Sequence, residues 1–528
     1  MESNALALNL IQRVNVGDSL TRSAVRNPQA LALVEGDRQL SYTEFNEHVN
    51  RVSHGLIDQG VEVGDAIALA SENSIEFLAT YYACAKIGAV CVPVNLGWRS
   101  DEVSHVLRDS GARILVVQAG LVPAMAAPAA AAEALELVVV VGSSPATLGD
   151  LSTMSFAELA SYPDIAEPRR LVDDRAPLTY LYTSGTTSAP KGVVGNHTAV
   201  YLESMTMVIE GQFRADDRFA ALLPMFHTAQ LNCHCTTAVM VGAAIFIQPG
   251  FDADALLALI ETERITQIFA LPMMYRTMLD RDSISRRDLS SLRRALYAMA
   301  PMPQEVLERC IEVFDCDFYL LFGQTEMSPT ATIFRTENQL THPGAVGTPV
   351  VNVQVAIMGD DGALLERGES GEIVYRGPHV MTGYLHNTQA TEEAFRYGWF
   401  HSGDLGHFDE DGILWFTDRS KDVIKSGGEN VASLEVEKAI YAAEPGAAEV
   451  VVVGLPHAHW SEAITAFVVP RPHAHLDPAV IQKNMRNHLD AYKIPKAIVV
   501  VDELPKTSTG KVQKNRVRDA NVGLYQGI

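Results

Sequence analysis

The segment TSGTTSAPKG (183–192) gathers hydroxyl and glycine residues into one run with a lysine, Lys191, near its end, and an apolar strand pattern, LTYLY (178–182), leads into it. That combination suits an anion. Small residues such as Gly185 let backbone N–H groups approach a phosphate, Thr183, Ser184, Thr186 and Thr187 add hydroxyl donors, and Lys191 brings a charge. A solvated tether has no reason to follow a strand and close on a cation. The run is not a Walker A loop, because GxxxxGK needs glycine at 190 and Pro190 stands there. Kinase chemistry of that type is disfavoured. A second polar cluster, Cys233-His234-Cys235, lacks the two-residue gap usual between metal-binding cysteines and reads as buried thiols rather than a zinc site.

A phosphate loop must be held by rigid elements, and the flanking sequence has an α/β pattern. Ser41 and Glu44 form a capping box, Phe45, Val49, Val52 and Leu56 follow on one helical face, and Gly60 is placed to end the helix. A strand then starts near Ala66. Apolar runs at 67–71, 89–94 and 113–118 predict parallel strands buried on both faces. From 118 to 170 the chain is rich in Ala and Pro with weak periodicity, which predicts a surface-lying helical excursion. Around 344–420 the turns Asp361-Gly362 and Asp411-Gly412 predict a small antiparallel β subdomain. After DRSKD (418–422) a helix from about Leu434, strands at 448–455 and 463–470 and a helix near 478–490 predict a mobile α+β lid of about 100 residues. The expected fold is therefore α/β: a large N-terminal region of several subdomains over residues 1–420, with parallel sheets and a small β subdomain, and the lid over 421–528.

A chain of 528 residues exceeds what one core usually supports, which agrees with that division. Acidic residues outnumber basic ones 64 to 41, and the net charge of -23 disfavours nucleic acid and anionic lipid as partners. An anionic ligand must be held by local donors. The apolar stretches near 121–141 and 231–248 are interrupted before the ~20 residues that span a bilayer, and the N-terminus does not read as a secretory signal. Cysteines at 84, 91, 233, 235, 310 and 316 form no disulfide framework, so a reducing, cytoplasmic location is expected.

The loop YTSGTTSAPKG closely resembles the signature of adenylate-forming enzymes, the superfamily of acyl-CoA synthetases, peptide-synthetase adenylation domains and firefly luciferases. Six further segments match family motifs in order: LPMFHTAQLN (223–232), YAMAPMP (297–303), LFGQTEMSP (321–329), GWFHSGDLG (398–406), DRSKDVIKSGGEN (418–430) and PKTSTGK (505–511). The resemblance spans nearly the whole chain. It implies activation of a carboxylic acid with ATP and Mg²⁺, then transfer of the acyl group to coenzyme A.

Carried over residue by residue, the resemblance implies a nucleotide site of Thr183 to Thr187, Lys191, Ala300, Pro301, Phe322, Gly323, Gln324, Thr325, Asp404, Arg419 and Lys425. Glu326, with Thr187, would associate with the metal, since a carboxylate and a hydroxyl suit Mg²⁺ and phosphate. Asp404 would accept bonds from the ribose hydroxyls. Lys511, after the turn-forming Pro505 to Gly510, would stabilise charge on the departing pyrophosphate. His227, Met299, Ala300 and Gly323 would line the acyl pocket, with His227 as a possible gate. Gly427 and Gly428 would border the thiol channel, and Lys421 matches the hinge. Met299, Ser188 and Ser461 depart from the small residues or glycines usual at their positions.

An amide synthetase would share the first half-reaction with an amine as acceptor, and remains the alternative. A peptide-synthetase-type activator fits less well, because His227 stands where such domains place an aspartate. A noncatalytic scaffold would be expected to lack Lys511, Glu326 or the phosphate loop, all of which are present. The many methionines, Met225, Met273, Met274, Met299 and Met302, suggest an adaptable apolar cavity for a fatty or aromatic acid. Monomer and homodimer are both compatible with the sequence.

Overall fold

The computed structural model describes residues 2–142, 148, 151–183, 189–300, 302–507 and 512–526. The chain divides into two compact units, Met1–Val355 with Tyr375–Phe400, and Ala356–Val374 with His401–Ile528. Two large sheets build the first unit. One has the strand order Gly383–Tyr384, Lys191–Asn196, Pro177–Thr183, Val90–Pro93, Ala66–Ala70, Ile114–Gln118, Leu137–Val141, Ser152–Ser155 among the described residues. From Pro177–Thr183 onward neighbours are parallel, while Lys191–Asn196 and Gly383–Tyr384 add antiparallel strands at the other side.

The sequence explains the centre of this sheet. Ala66–Ala70 and Val90–Pro93 are buried at every position, as strands covered on both faces require. Beside them the helix Tyr42–Asp58 starts at a capping box, Ser41 accepting from the Glu44 N–H and the Glu44 carboxylate from the Ser41 N–H. Phe45, Val49, Val52 and Leu56 are fully buried on its inner face. The helix ends at Gln59, and Gly60 takes the left-handed turn that follows, at φ +76°.

One expectation is corrected. The stretch 118–170 is not a surface excursion: after a helix at Val122–Ala130 it supplies Leu137–Val141, which pairs in parallel with Ile114–Gln118, and Ser152–Ser155 beyond it. Val138 and Val139 are wholly buried. Completing the sheet gives this apolar run more than a surface helix could.

The second large sheet runs Thr348–Pro349, Thr330–Phe334, Asp317–Gly323, Arg294–Tyr297, Gln267–Ala270, Arg218–Ala221, Ala244–Ile247, Leu31–Glu35, Arg38–Ser41. Its inner strands are parallel and its margins antiparallel.

In the second unit, residues 404–408 of the strand Phe400–Phe408 pair antiparallel with Leu414–Arg419 in a hairpin whose turn includes Gly412 at φ +77°, and Gly362 has φ +82°. Farther on, Ala447–His457 and Ser461–Pro470 pair antiparallel, the helix Ser433–Ala443 packs on them, and Ala497–Val500 joins in parallel. The helix expected at 478–490 is shorter, Pro478–Asn484, and passes into a 3₁₀ turn at Met485–Asn487. Ile424, Val436, Ile440, Val452 and Ile464 belong to one buried core here. Among the described residues no helix is long and apolar enough to cross a membrane. The architecture is α/β, with a large N-terminal region of parallel and mixed sheets and a small C-terminal region with an antiparallel sheet.

Candidate active site

Strands Pro177–Thr183 and Lys191–Asn196 bracket the glycine- and hydroxyl-rich loop, with Thr183 directly opposite Lys191. Ser184, Gly185, Thr186, Thr187 and Ser188 lie outside the described residues. The helix Ser100–Ser110 fastens both ends of the loop. His105 Nε2 donates to the Pro190 carbonyl at 3.0 Å, and Tyr182 Oη donates to Asp109 Oδ2 at 2.7 Å.

Glu326 sits on the 3₁₀ turn Thr325–Met327, which follows strand Asp317–Gly323. The turn is tight because Gly323 lies so near Pro329 that a Cβ would stand 1.9 Å from its carbonyl oxygen. Gln324 N donates to that oxygen at 3.0 Å. Glu326 is half-buried, and Tyr384 Oη donates to its Oε1 at 2.9 Å. Lys191 Nζ stands 5.2 Å from the centroid of the same tyrosine ring. The loop lysine and the turn glutamate are thereby brought together by one aromatic side chain. A carboxylate beside a cation and a phosphate-type loop fits Mg²⁺, which keeps waters and takes phosphate oxygens rather than an all-protein cage. Among the described residues no three His, Cys, Asp or Glu side chains form such a cage.

His227 follows strand Arg218–Ala221 and lies against Phe226, their rings 4.7 Å apart. Its Nε2 is buried with no hydrogen-bond partner among the described residues, and burial lowers its pKa to about 4. The ring is neutral at neutral pH. The next residues, Ala229–Cys235, form a π-helix, a geometry often found at functional positions. Within it the Gln230 amide bonds His234 Nδ1 at 2.8 Å, and burial pushes the Cys235 thiol up to about 12. Those buried thiols are protonated.

Met299, just beyond strand Arg294–Tyr297, has φ +72° and is 39% exposed, and Ala300 is exposed beside it. Pro301 lies outside the described residues. Phe322 is half-buried in the strand that precedes the Glu326 turn. Met225 is fully buried, whereas Met273 is 48% exposed.

In the second unit Asp404 and Arg419 are register partners across the hairpin, with Arg419 Nε 3.4 Å from Asp404 Oδ1. Asp404 is buried and follows Gly403, whose φ is +72°. Lys421 is two residues on, where burial, then the neighbouring Arg419, lowers its pKa. Lys425 is exposed and Gly427 and Gly428 form the two-residue turn between Ile424–Ser426 and Glu429–Val431. Their φ values, +63° and +92°, are the signs a type I′ hairpin turn needs. Ser461, at φ +63°, occupies a left-handed position, a conformation glycine reaches without strain. Lys511 lies outside the described residues; among its described neighbours, Lys506 and Val512 form a β-bridge and Gln513 N donates to Pro505 O at 2.8 Å.

Residues 20–385 match the family model for AMP-binding enzymes, and residues 435–511 match the model for the AMP-binding enzyme C-terminal domain. The chain is an AMP-binding enzyme. It is 34% identical over 506 residues to a feruloyl-CoA synthase of an Amycolatopsis species, covering 95% of this chain and 98% of that one. It is 34% identical to an indoleacetate–CoA ligase of Aromatoleum aromaticum (96% and 98% covered) and 33% identical to the long-chain-fatty-acid–CoA ligase FadD13 of Mycobacterium tuberculosis (96% and 98%). Among solved structures, ATP-bound MatB from Rhodopseudomonas palustris superposes with a TM-score of 0.88 at 27% identity, covering 98% of this chain and 100% of MatB.

This AMP-binding enzyme is an acid–CoA ligase of the adenylate-forming superfamily, using ATP, Mg²⁺ and CoA. Its first unit holds Thr183, Lys191, His227, Met299, Ala300, Phe322, Gly323, Gln324, Thr325 and Glu326; its second holds Asp404, Arg419, Lys421, Lys425, Gly427 and Gly428. The sequence does not single out Tyr384. Its signal is available only once Gly383–Tyr384 is known to pair beside Lys191.

Proposed function

We propose that the ligase activates an apolar or aromatic carboxylic acid. The observation that carries this reading is the ring of His227, kept neutral by burial with a buried Nε2, which the reading places in the acyl pocket. Its proposed neighbours Met299, Ala300 and Gly323 carry no charge, so an α-ammonium or a second carboxylate finds no counter-ion among them. Relatives named for feruloyl-CoA, indoleacetate and long-chain fatty acids support the same class.

In this reading the hydroxyls of Thr183 to Thr187 and Lys191 hold the β- and γ-phosphates, and Thr187 and Glu326 hold Mg²⁺, which would offset phosphate charge. Ala300, Pro301, Phe322, Gly323, Gln324 and Thr325 border the nucleotide, with Asp404 and Arg419 on the ribose and Lys425 near its phosphates. The acid carboxylate attacks the α-phosphorus and pyrophosphate leaves. Lys511 stabilises the charge that gathers on the leaving oxygens. CoA thiolate then attacks the acyl carbon and AMP departs.

The moving body is residues 421–528, turning about Lys421 against 1–420. Support comes from the two buried clusters of the C-terminal region, whose members all lie at Ile424 or beyond. Buried free cysteines fit a reducing, cytoplasmic setting. The test is a panel of acids with MgATP, offered CoA or simple amines, with products identified by mass. Hexanoate or benzoate derivatives should give CoA thioesters; comparable turnover of glycine or succinate would overturn the substrate class, and amides in place of thioesters the acceptor.

A further inference from the structure

We propose that Tyr384 is a positioning residue that sets the Glu326 carboxylate and the Lys191 ammonium for the metal–nucleotide complex. The inference rests on the metal role proposed for Glu326. It starts in the backbone: Gly383–Tyr384 pairs antiparallel with Lys191–Asn196, and Tyr384 stands opposite Val193. The diagonal neighbour two residues along a paired strand shares the same face, and here that neighbour is Lys191. Its Nζ accordingly lies 5.2 Å from the ring centroid, within cation–π range.

The same short segment grips Glu326 twice. Met381 N donates to the Glu326 carbonyl at 2.8 Å, and Tyr384 Oη donates to its carboxylate at 2.9 Å. The segment is itself anchored, because Leu385 N donates to Gly192 O at 2.8 Å and Tyr384 N to Thr391 Oγ1 at 2.9 Å. The strand that ends the phosphate loop and the turn that carries the acid are thus held by one residue.

A phenol is the right chemistry for this task. It orients the carboxylate through one of about four acceptor directions without neutralising it. The ring face holds Lys191 by a soft attraction that phosphate oxygens can replace.

Two variants separate the two contacts. Tyr384→Phe keeps the ring and loses the hydroxyl; Tyr384→Leu loses both. Binding of Mn²⁺ to the complex with the α,β-methylene analogue of ATP, followed by electron paramagnetic resonance, reads the metal contact apart from turnover, and calorimetry with the metal-free analogue reads the lysine contact. Tyr384→Phe should weaken Mn²⁺ by about 10–100-fold, the range for loss of a residue that orients a metal ligand, and leave metal-free binding unchanged. Tyr384→Leu should weaken metal-free binding as well. Adding Tyr384→Phe to Glu326→Gln should cost no further Mn²⁺ affinity. Wild-type Mn²⁺ affinity in Tyr384→Phe, with a lowered melting temperature and a clear loss in Glu326→Gln, makes the tyrosine packing only and overturns the proposal. Unchanged Mn²⁺ affinity in Glu326→Gln overturns the metal role of Glu326 and this inference with it.

Discussion

His227 turns a packing feature into a chemical one. Burial holds its pKa near 4, against an ordinary value near 6.5, so the folded protein resists protonating it. The sign follows: the unfolded chain binds the proton first, stability is full above about pH 6.5, and it falls as pH drops toward 4. His197 and His234, with pKa values of about 3 from the same cause, add to the loss in the same direction. Carbon-13 labelling should show the His227 ring unprotonated down to about pH 5, and a midpoint near 6.5 would contradict its burial. Lys511→Ala is expected to abolish acid-dependent consumption of ATP while sparing thioester formation from supplied acyl-adenylate. Equal loss in both assays would point to a structural role. At this scale the sequence shows the candidates but not their relations. Glu326 and Lys191 stand out through their motifs, whereas Tyr384 acquires meaning only from strand pairing that joins residues far apart in the chain.

Elements were legible where local signals agree with burial. The capping box at Ser41 and the buried stripe from Phe45 to Leu56 identify their helix, and the fully apolar strands at 66–70 and 90–93 their sheet. The run Leu137–Val141 was not, because a short continuous apolar segment has no periodicity to separate strand from buried helix, and its Ala-rich flank, with Pro128 inside a helix, misleads. Its partners on either side decide it. The turn between Asp317–Gly323 and Thr330–Phe334 gives a sharper test of an element's demands. An added methyl at Gly323 meets the backbone oxygen of Pro329, an atom that no side-chain rotation can move. Gly323→Ala should therefore destabilise the protein by ~1–3 kcal/mol in urea unfolding and raise the KM for ATP by shifting the Glu326 turn. A change within about 0.5 kcal/mol, the range of ordinary surface substitutions, would show that the strand pair yields easily there.

In the proposed function Lys511 and the Gly427–Gly428 turn act in successive steps at one site, although both belong to the same C-terminal region. That requirement motivates rotation about Lys421. One contact joins residues on either side of 421 in sequence, Ser433 Oγ donating to Asp418 Oδ2 at 2.6 Å, and Lys514 Nζ lies 2.8 Å from Glu437. The proposed rotation would have to exchange the first of these for others. Proline at 421 fixes φ near -65° and removes an N–H, which leaves the chain able to fold but unable to make a large backbone change there. Lys421→Pro is thus expected to keep adenylate formation within about tenfold, while thioester formation from isolated adenylate falls about a hundredfold, ~2.7 kcal/mol in barrier. Pyrophosphate exchange reads the first step and single-turnover thioester formation the second. Equal loss in both means damage to the fold, and normal thioester formation means that rotation about Lys421 is unnecessary.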